Sequence, residues 1–290
     1  MERKVLVYKN DLKNKKNKTF NLESIMFDNS HVEKMFREKD LDSLEYRLLE
    51  CKETGFVDLD LKHMDLISLP SLPDEVYNKL KHLFLGDNKL TNLNDITKFK
   101  SLETLDINNN LFIELPQLPN TLNELCCQSN KLTMIKSHRN LQKLDCAFNN
   151  IQKIEELPKL ELLVCNDNKL ESIPPFSSLK KLVCNNNMIK IIHNYSSLTY
   201  LNCIKNNITS ITDIGNIEDL LISYNPIDNL PTNLPKIKYL EIIDTNIRKL
   251  YFYTSLKEVY SSVNQLTHMS KKYIVKNKRV HKDKLLIFEF

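Results

Sequence analysis

Apolar and polar residues follow a fixed spacing along most of this chain. Counting a unit from its first apolar residue, positions 1, 4, 6 and 11 are aliphatic or Cys, and position 9 is Asn. The pattern fits Leu80, Leu83, Leu85, Asn88 and Leu90. It returns in units that begin at Leu102, Leu122, Leu141, Leu160, Leu179, Leu198 and Ile217. Their ninth residues are Asn110, Asn130, Asn149, Asn168, Asn187, Asn206 and Asn225, the last six spaced 19 apart. Units at Ile237 and Leu256 keep the spacing, with Thr245 in place of Asn in the first. The second has Asn264 but a polar Ser261 at position 6. A copy beginning at Phe56 opens the array with Met64 where Asn belongs. About eleven units therefore span residues 55–266.

Alternation around positions 4 and 6 turns one set of side chains inward and the next outward, as a short strand does. One unit cannot bury its apolar face alone, so neighbours must stack. The pattern predicts a curved parallel sheet with one strand per unit, about 4.8 Å apart. Asn at position 9 is polar yet inward. Its amide can donate to and accept from backbone groups, and leaving it unpaired costs about 1–3 kcal/mol. Between position 11 and the next unit an apolar residue recurs every third place, as in Ile151, Ile154, Leu157 and Leu160. That period fits 3₁₀ turns or extended polyproline-like backing better than an α-helix. Pro174, Pro175, Pro231 and Pro235 agree with it. A convex side almost without α-helix is predicted.

In these residues the sequence resembles the leucine-rich repeat family, over about residues 55–266. Leu69-Pro70-Ser71-Leu72-Pro73 and Leu115-Pro116-Gln117-Leu118-Pro119 are similar to the backing segments of its short repeat type, known from bacterial effector proteins. The composition is also similar to repeat proteins of large AT-rich DNA viruses. The resemblance implies a leucine-rich-repeat solenoid, α/β by family but mostly β here, with a 3₁₀ or extended convex side. It further implies that Asn88, Asn110, Asn130, Asn149, Asn168, Asn187, Asn206, Asn225 and Asn264 form a structural ladder. Effectors with this repeat type often carry a ubiquitin-ligase domain with a catalytic Cys. Residues 267–290 are too few for one, so that activity is not carried over.

Composition narrows the chemistry. Only Gly55, Gly86 and Gly215 are glycine, which excludes the glycine-rich loops that cradle phosphates. No run reaches the roughly 18 apolar residues of a membrane span. The start, Met1-Glu2-Arg3-Lys4, lacks the apolar core of a signal peptide, so an intracellular, reducing setting is expected. Cys127, Cys146, Cys165, Cys184 and Cys203 all fall at position 6, where a small buried residue suits a thin coil. A metal or redox ladder is the rival reading. Zinc wants converging Cys pairs, which a row along a sheet does not supply. Cys126 stands beside Cys127 at an outward position, as a candidate accessible thiol. The seven His are scattered, and none pairs with a nucleophile at a motif spacing. No catalytic residue, metal ligand or cofactor is expected.

Three segments follow. Residues 1–54 carry a basic arm and then a helical N-terminal segment, with an amphipathic pattern over 31–52. Residues 55–266 are the solenoid, and residues 267–290 a basic tail or cap with a net charge of about +5. The array itself is near −2, about neutral for its length, so a nucleic-acid surface is not expected there.

The outward residues at positions 3, 5, 7 and 8 are the candidate site. In the later units these are Leu162, Val164, Val183, Tyr200, Ile204, Leu221, Tyr224, Tyr239, Ile243 and Tyr260. Exposed apolar patches mark interaction surfaces, and Tyr is enriched at their hot spots. The plainer alternative is that strand propensity alone placed Val, Ile and Tyr there. Three functions are weighed: a non-enzymatic module that holds a protein partner on its concave sheet, an adaptor that recruits partners through residues 1–54 or the basic tail, and an enzyme, which would need a pocket the sequence does not show. A monomer is expected.

Overall fold

The computed structural model describes residues 43–262 together with Leu266 and Thr267. Asn264, the basic arm, the part of the predicted helix before residue 43 and residues 268–290 lie outside the described residues. Helix α1 (Leu44–Glu53) is the first element of the described residues. The Ser43 Oγ accepts from the Tyr46 N–H at 3.2 Å, satisfying one free donor of the first turn. Glu45 in the first turn and Lys52 in the last complement the helix dipole. Leu48 and Cys51 turn inward and are buried. Gly55, at φ 74°, lets the chain leave the helix in a left-handed turn.

The strands that follow are three residues or shorter. In chain order they are β1 (Asp58–Asp60), β2 (His82–Phe84), β3 (Thr104–Asp106), β4 (Glu124–Cys126), β5 (Met134–Ile135), β6 (Lys143–Asp145), β7 (Lys153–Ile154) and β8 (Leu162–Val164). Then come β9 (Lys181–Val183), β10 (Ile191–Ile192), β11 (Tyr200–Asn202), β12 (Ser210–Ile211), β13 (Asp219–Leu221), β14 (Tyr239–Glu241) and β15 (Glu258–Tyr260). Eleven of them form one parallel sheet in the order β1-β2-β3-β4-β6-β8-β9-β11-β13-β14-β15. Each residue pairs with its counterpart one unit on, as in Leu144↔Leu163 and Leu163↔Leu182. The repeat register in the sequence is thus the sheet register.

Inside each coil the apolar positions close on one another. Leu83, Leu105, Leu163, Leu182 and Leu201 are fully buried, as are Cys127, Cys146, Cys165, Cys184 and Cys203. The five cysteines are free thiols, and burial pushes their ionisation far up. Cys is small enough to fill position 6 of a 19-residue coil without splaying it. The ninth-position asparagines form the ladder. Asn130 donates from Nδ2 to the Ile107 carbonyl of the preceding coil at 2.9 Å and to Cys127 and Gln128 in its own. Its Oδ1 accepts from the Phe112 N–H at 3.0 Å. The pattern recurs at Asn149, Asn187, Asn206 and Asn225, and at the half-buried Asn168. Thr245 keeps one of these bonds, from Oγ1 to the Ile242 carbonyl. At Ser261 the departure from the pattern has a cost: its Oγ is buried with no hydrogen-bond partner.

The convex side carries little α-helix, as the period of three predicts. Helix α2 (Asp74–Lys79) and one 3₁₀ turn (Ile96–Lys98) back the early units. Later units are backed by extended chain that pairs into two small sheets, β5–β7 and β10–β12. Proline decides where these sheets stop. Within them the N–H at position 15 donates to the coil before it, Glu155 to Ile135 and Thr212 to Ile192, both at 2.9 Å. Pro116, Pro174 and Pro231 occupy that same position in their units. Having no N–H, they cannot extend the ladder.

The coil after each proline carries a polar-tipped ring at position 17. The His138 Nε2 lies 3.0 Å from the Pro119 carbonyl. The Tyr195 hydroxyl reaches the carbonyls of Ile173 at 3.1 Å and Pro174 at 2.9 Å. The Tyr253 hydroxyl donates to Pro231 at 2.7 Å. In two of the three, a tyrosine hydroxyl thus satisfies carbonyls at or just before the proline, reaching back from the next coil. Tyr195→Phe keeps the shape, since Phe176 already fills the equivalent place one coil earlier. Loss of the hydroxyl leaves two inward carbonyls short of a donor, so urea unfolding should show a loss of about 2 kcal/mol. A change below about 0.5 kcal/mol would show that the hydroxyl does not matter.

Candidate functional site

The concave sheet presents positions 3 and 5 of every strand. Across β8, β9, β11, β13, β14 and β15 the third positions run Leu162, Lys181, Tyr200, Asp219, Tyr239 and Glu258. The fifth positions run Val164, Val183, Asn202, Leu221, Glu241 and Tyr260. Val164 and Val183 are direct neighbours, with Leu162 on the same strand as Val164. Tyr239 and Tyr260 meet diagonally with ring centroids 5.1 Å apart at 36°. Ile204, Ile243 and Tyr224 lie where the chain leaves the strands, at positions 7 and 8.

Two features differ from the sequence expectation. The candidate residues do not form a continuous apolar column, because Lys181, Asn202, Asp219, Glu241 and Glu258 interleave with them. They are also not freely exposed. Leu162, Val164, Val183, Tyr200, Ile204, Leu221, Tyr239, Ile243 and Tyr260 are half-buried, and only Tyr224 is exposed. Short side chains on a concave sheet shade one another, which spacing along the chain does not reveal. Position 7 varies more than expected, since Ala147 and Ser223 are buried there.

Sequence reasoning missed Phe148. The eighth residue of each coil from His63 to Asp244 has positive φ, between 48° and 58°. The chain turns sharply there to bring Asn into the core. Asp and Asn tolerate this conformation and occupy it at Asp87, Asn109, Asp167, Asn186 and Asp244. Phe148 (φ 52°) and Tyr224 (φ 58°) adopt it at a steric cost, 54% and 47% exposed respectively. Lys205 Nζ lies 5.9 Å from the Tyr224 ring centroid. Strained bulky residues that stay exposed are candidates for contact with a partner. A signal was available in the sequence: an aromatic residue at a position otherwise rich in Asp and Asn.

The N-terminal half of the face is polar and partly paired. Lys62 Nζ lies 2.9 Å from Asp106 Oδ2 and 5.0 Å from the Phe84 ring centroid. Desolvation draws the Lys62 ionisation down, but the hydrogen bond and charge of Asp106 outweigh it, and the net shift is upward. Lys143 Nζ pairs with Glu124 at 3.0 Å. His63 faces Asp87 at 3.7 Å on the exposed rim. Cys126 is half-buried, between Asp106 and Asp145 in the row. Burial first, and then those two carboxylates, push its thiol up to about 12. Cys126 is the one cysteine that is not fully buried, as its outward position implies, but its thiol holds its proton. Burial, and less strongly Asp106, also raises Asp145.

Among the described residues no group of three or more His, Cys, Asp or Glu is placed to hold a metal ion. No described helix is long and apolar enough to cross a membrane. A convex cleft of about 490 Å³ opens where a 20-residue unit meets a 19-residue one, lined by residues that include Leu118, Met134, Lys136 and His138. None of the candidate residues lines it.

Phe148→Asn should relieve the left-handed strain and lose little burial, stabilising the fold by about 1 kcal/mol. Thermal unfolding checks this, and a lower midpoint contradicts it. Cys126 should resist alkylation by iodoacetamide near pH 7.5, because the reactive thiolate is scarce below a pKa of about 12. The rate should climb as pH rises toward that value. Modification of the folded chain as fast as free cysteine at pH 7.5 would contradict the assignment.

A family model described as Leucine Rich repeats (2 copies) matches residues 139–178. No curated protein matches the sequence. Among solved structures, the functional domain of InlJ from Listeria monocytogenes, described as including a cysteine ladder, is 26% identical with a TM-score of 0.61. That match covers 72% of this chain and 54% of InlJ, so this chain spans about half of that domain. YopM from Yersinia pestis, a leucine-rich effector, is 22% identical with a TM-score of 0.64, over 87% of this chain and 86% of YopM. A chain of the LRIM1/APL1C complex is 20% identical with a TM-score of 0.65, over 76% of this chain and 46% of its own length. The family match falls in the middle of an array whose strands keep one register from β1 to β15, and the chain is a leucine-rich-repeat solenoid.

Proposed function

We propose that the chain is a non-enzymatic binding module that holds a protein partner on its concave sheet between β8 and β15. The observation that carries this reading is the grouping there of Leu162, Val164, Val183, Leu221, Tyr200, Tyr239 and Tyr260 on one face of a single sheet. Strand propensity accounts for β-branched residues at these positions. It does not account for Tyr224, which holds a costly backbone conformation at the rim of the same face. Aromatic residues of this kind serve as interface anchors. A similar solenoid occurs in the LRIM1/APL1C complex, which is consistent with a protein as the partner. The near-neutral array supports a protein rather than a nucleic acid. The reading requires no cofactor, and one copy of the chain presents the whole surface.

The rival reading places recruitment on residues 1–54 or 267–290. Leu162→Asp combined with Leu221→Asp separates the two. Both side chains are half-buried at outward positions, so the coil core is untouched. Capture of partners from cells of the natural host should drop at least tenfold with an unchanged circular dichroism spectrum. Deleting residues 268–290 should leave capture intact. Unchanged capture by the double variant, with the fold preserved, refutes the concave site.

A further inference from the structure

We infer that the concave face of β13, β14 and β15 receives an arginine-bearing segment of the partner protein, a refinement that rests on the concave-sheet reading above. Six side chains form a grid there. One row is Asp219, Tyr239, Glu258, and the next is Leu221, Glu241, Tyr260. The tyrosines stack across the diagonal. Asp219 and Glu258 flank Tyr239 along its row, and Glu241 stands next to Tyr260. All six are half-buried.

The acidity of this grid is unmatched locally. In the N-terminal half of the face, Asp106 is answered by Lys62 and Glu124 by Lys143. At the strand edge, Lys238 turns to Glu218. Asp219, Glu241 and Glu258 have no ion-pair partner among the described residues, and no Lys or Arg occupies positions 3, 5 or 7 of their units. Glu241 does accept a hydrogen bond from the Ser223 Oγ at 2.8 Å. The whole chain is net positive at +4, so a basic ligand would be drawn to this face by its local field and not by overall charge. The ionisation shifts agree with uncompensated negative charge. Burial, then the Glu241 charge, pushes the Tyr239 hydroxyl up to about 12. Burial, followed by the carboxylate of Glu218, raises Asp219; the Lys238 charge pulls it down without reversing the shift, and Glu258 adds a smaller push upward.

A guanidinium fits this arrangement better than an ammonium. It is planar and stacks on aromatic rings, and it forks onto carboxylates with two parallel hydrogen bonds. It is also less strongly hydrated, which matters on a half-buried face. The apolar strand β8 lies four strands from β14, roughly 19 Å at about 4.8 Å per strand. The segment that fits both carries an apolar side chain at one end and arginine at the other.

The test uses the full chain and three fluorescein-labelled peptides, nonaarginine, nonalysine and nonaglutamate, read by fluorescence anisotropy at low ionic strength. Nonaarginine should bind severalfold more tightly than nonalysine, and nonaglutamate should not bind. Glu241→Gln with Glu258→Gln should weaken nonaarginine at least tenfold. Glu161→Gln, which removes a carboxylate already paired to Lys180 at the strand edge, should leave binding unchanged. Tyr260→Leu should abolish the preference for arginine over lysine. Equal affinity for the two basic peptides, or unchanged binding by the double glutamine variant, overturns the inference. So does a full chain that binds no peptide, the result expected if its own basic residues 267–290 occupy the face. The two readings fail separately. If the cellular partner is lost with Leu162→Asp and Leu221→Asp but kept with Glu241→Gln and Glu258→Gln, concave docking stands and the arginine assignment falls.

Discussion

In the units from Leu80 to Ile217, one asparagine amide per coil ties the turn to the one before it. Its Nδ2 spans two coils, donating back to one and inward to its own, while its Oδ1 accepts an N–H from the earlier coil. A coil of 19 residues has little interior, so its backbone groups have few partners other than this amide. Removing it strands several buried groups at once, each worth about 1–3 kcal/mol. The requirement explains the neighbouring positions too. To carry Asn inward immediately after a strand, the chain turns through a left-handed residue at position 8, whatever side chain is there. It also explains why Cys serves well at position 6. The amide bonds to the carbonyl of that residue, as Asn187 does to Cys184 and Cys165, and a small side chain leaves the coil thin enough for this.

Features set by side-chain type were legible in the sequence, and features set by backbone conformation were not. Leu163, Cys165 and Asn168 declare their roles because burial and hydrogen bonding admit few residue types there. Position 8 does not, since Asp167, Phe148 and Tyr224 all adopt the same φ. The convex side lies between these cases. Its period of three favoured 3₁₀ or extended backing over α-helix, and the prolines were visible. The link between Pro174 and Tyr195 was not, because Tyr195 reads as one more apolar residue in its period. Only stacking brings its hydroxyl to the Ile173 and Pro174 carbonyls.

The candidate site was legible as residues but not as a surface. Leu162, Tyr200 and Tyr239 were correctly placed at outward positions. Grouping them as an apolar column ignored the residues on the intervening strands, and Lys181 and Asp219 separate them in the sheet. The same oversight hid the charge pattern. Asp219, Glu241 and Glu258 look unremarkable along a chain with 37 acidic residues. They become a feature when adjacent strands are set side by side and the neighbouring Lys238 proves to be paired with Glu218.

Stacked coils touch only their neighbours, so each strand's outward chemistry can change without disturbing the core of distant coils. The face uses that freedom. Its first strands neutralise their own charges, as Lys62 does for Asp106, and gain local order at the expense of reactivity toward a ligand. The middle strands offer Leu162, Val164 and Val183, which gain by losing water. The last strands leave carboxylates beside tyrosines with no ion-pair partner among the described residues. A surface selected only for stability of the sheet would gain by answering its charges with opposite ones, as Lys62 answers Asp106 and Lys143 answers Glu124. Departure from that pairing at Asp219, Glu241 and Glu258 is what a surface shaped by an external cation would retain.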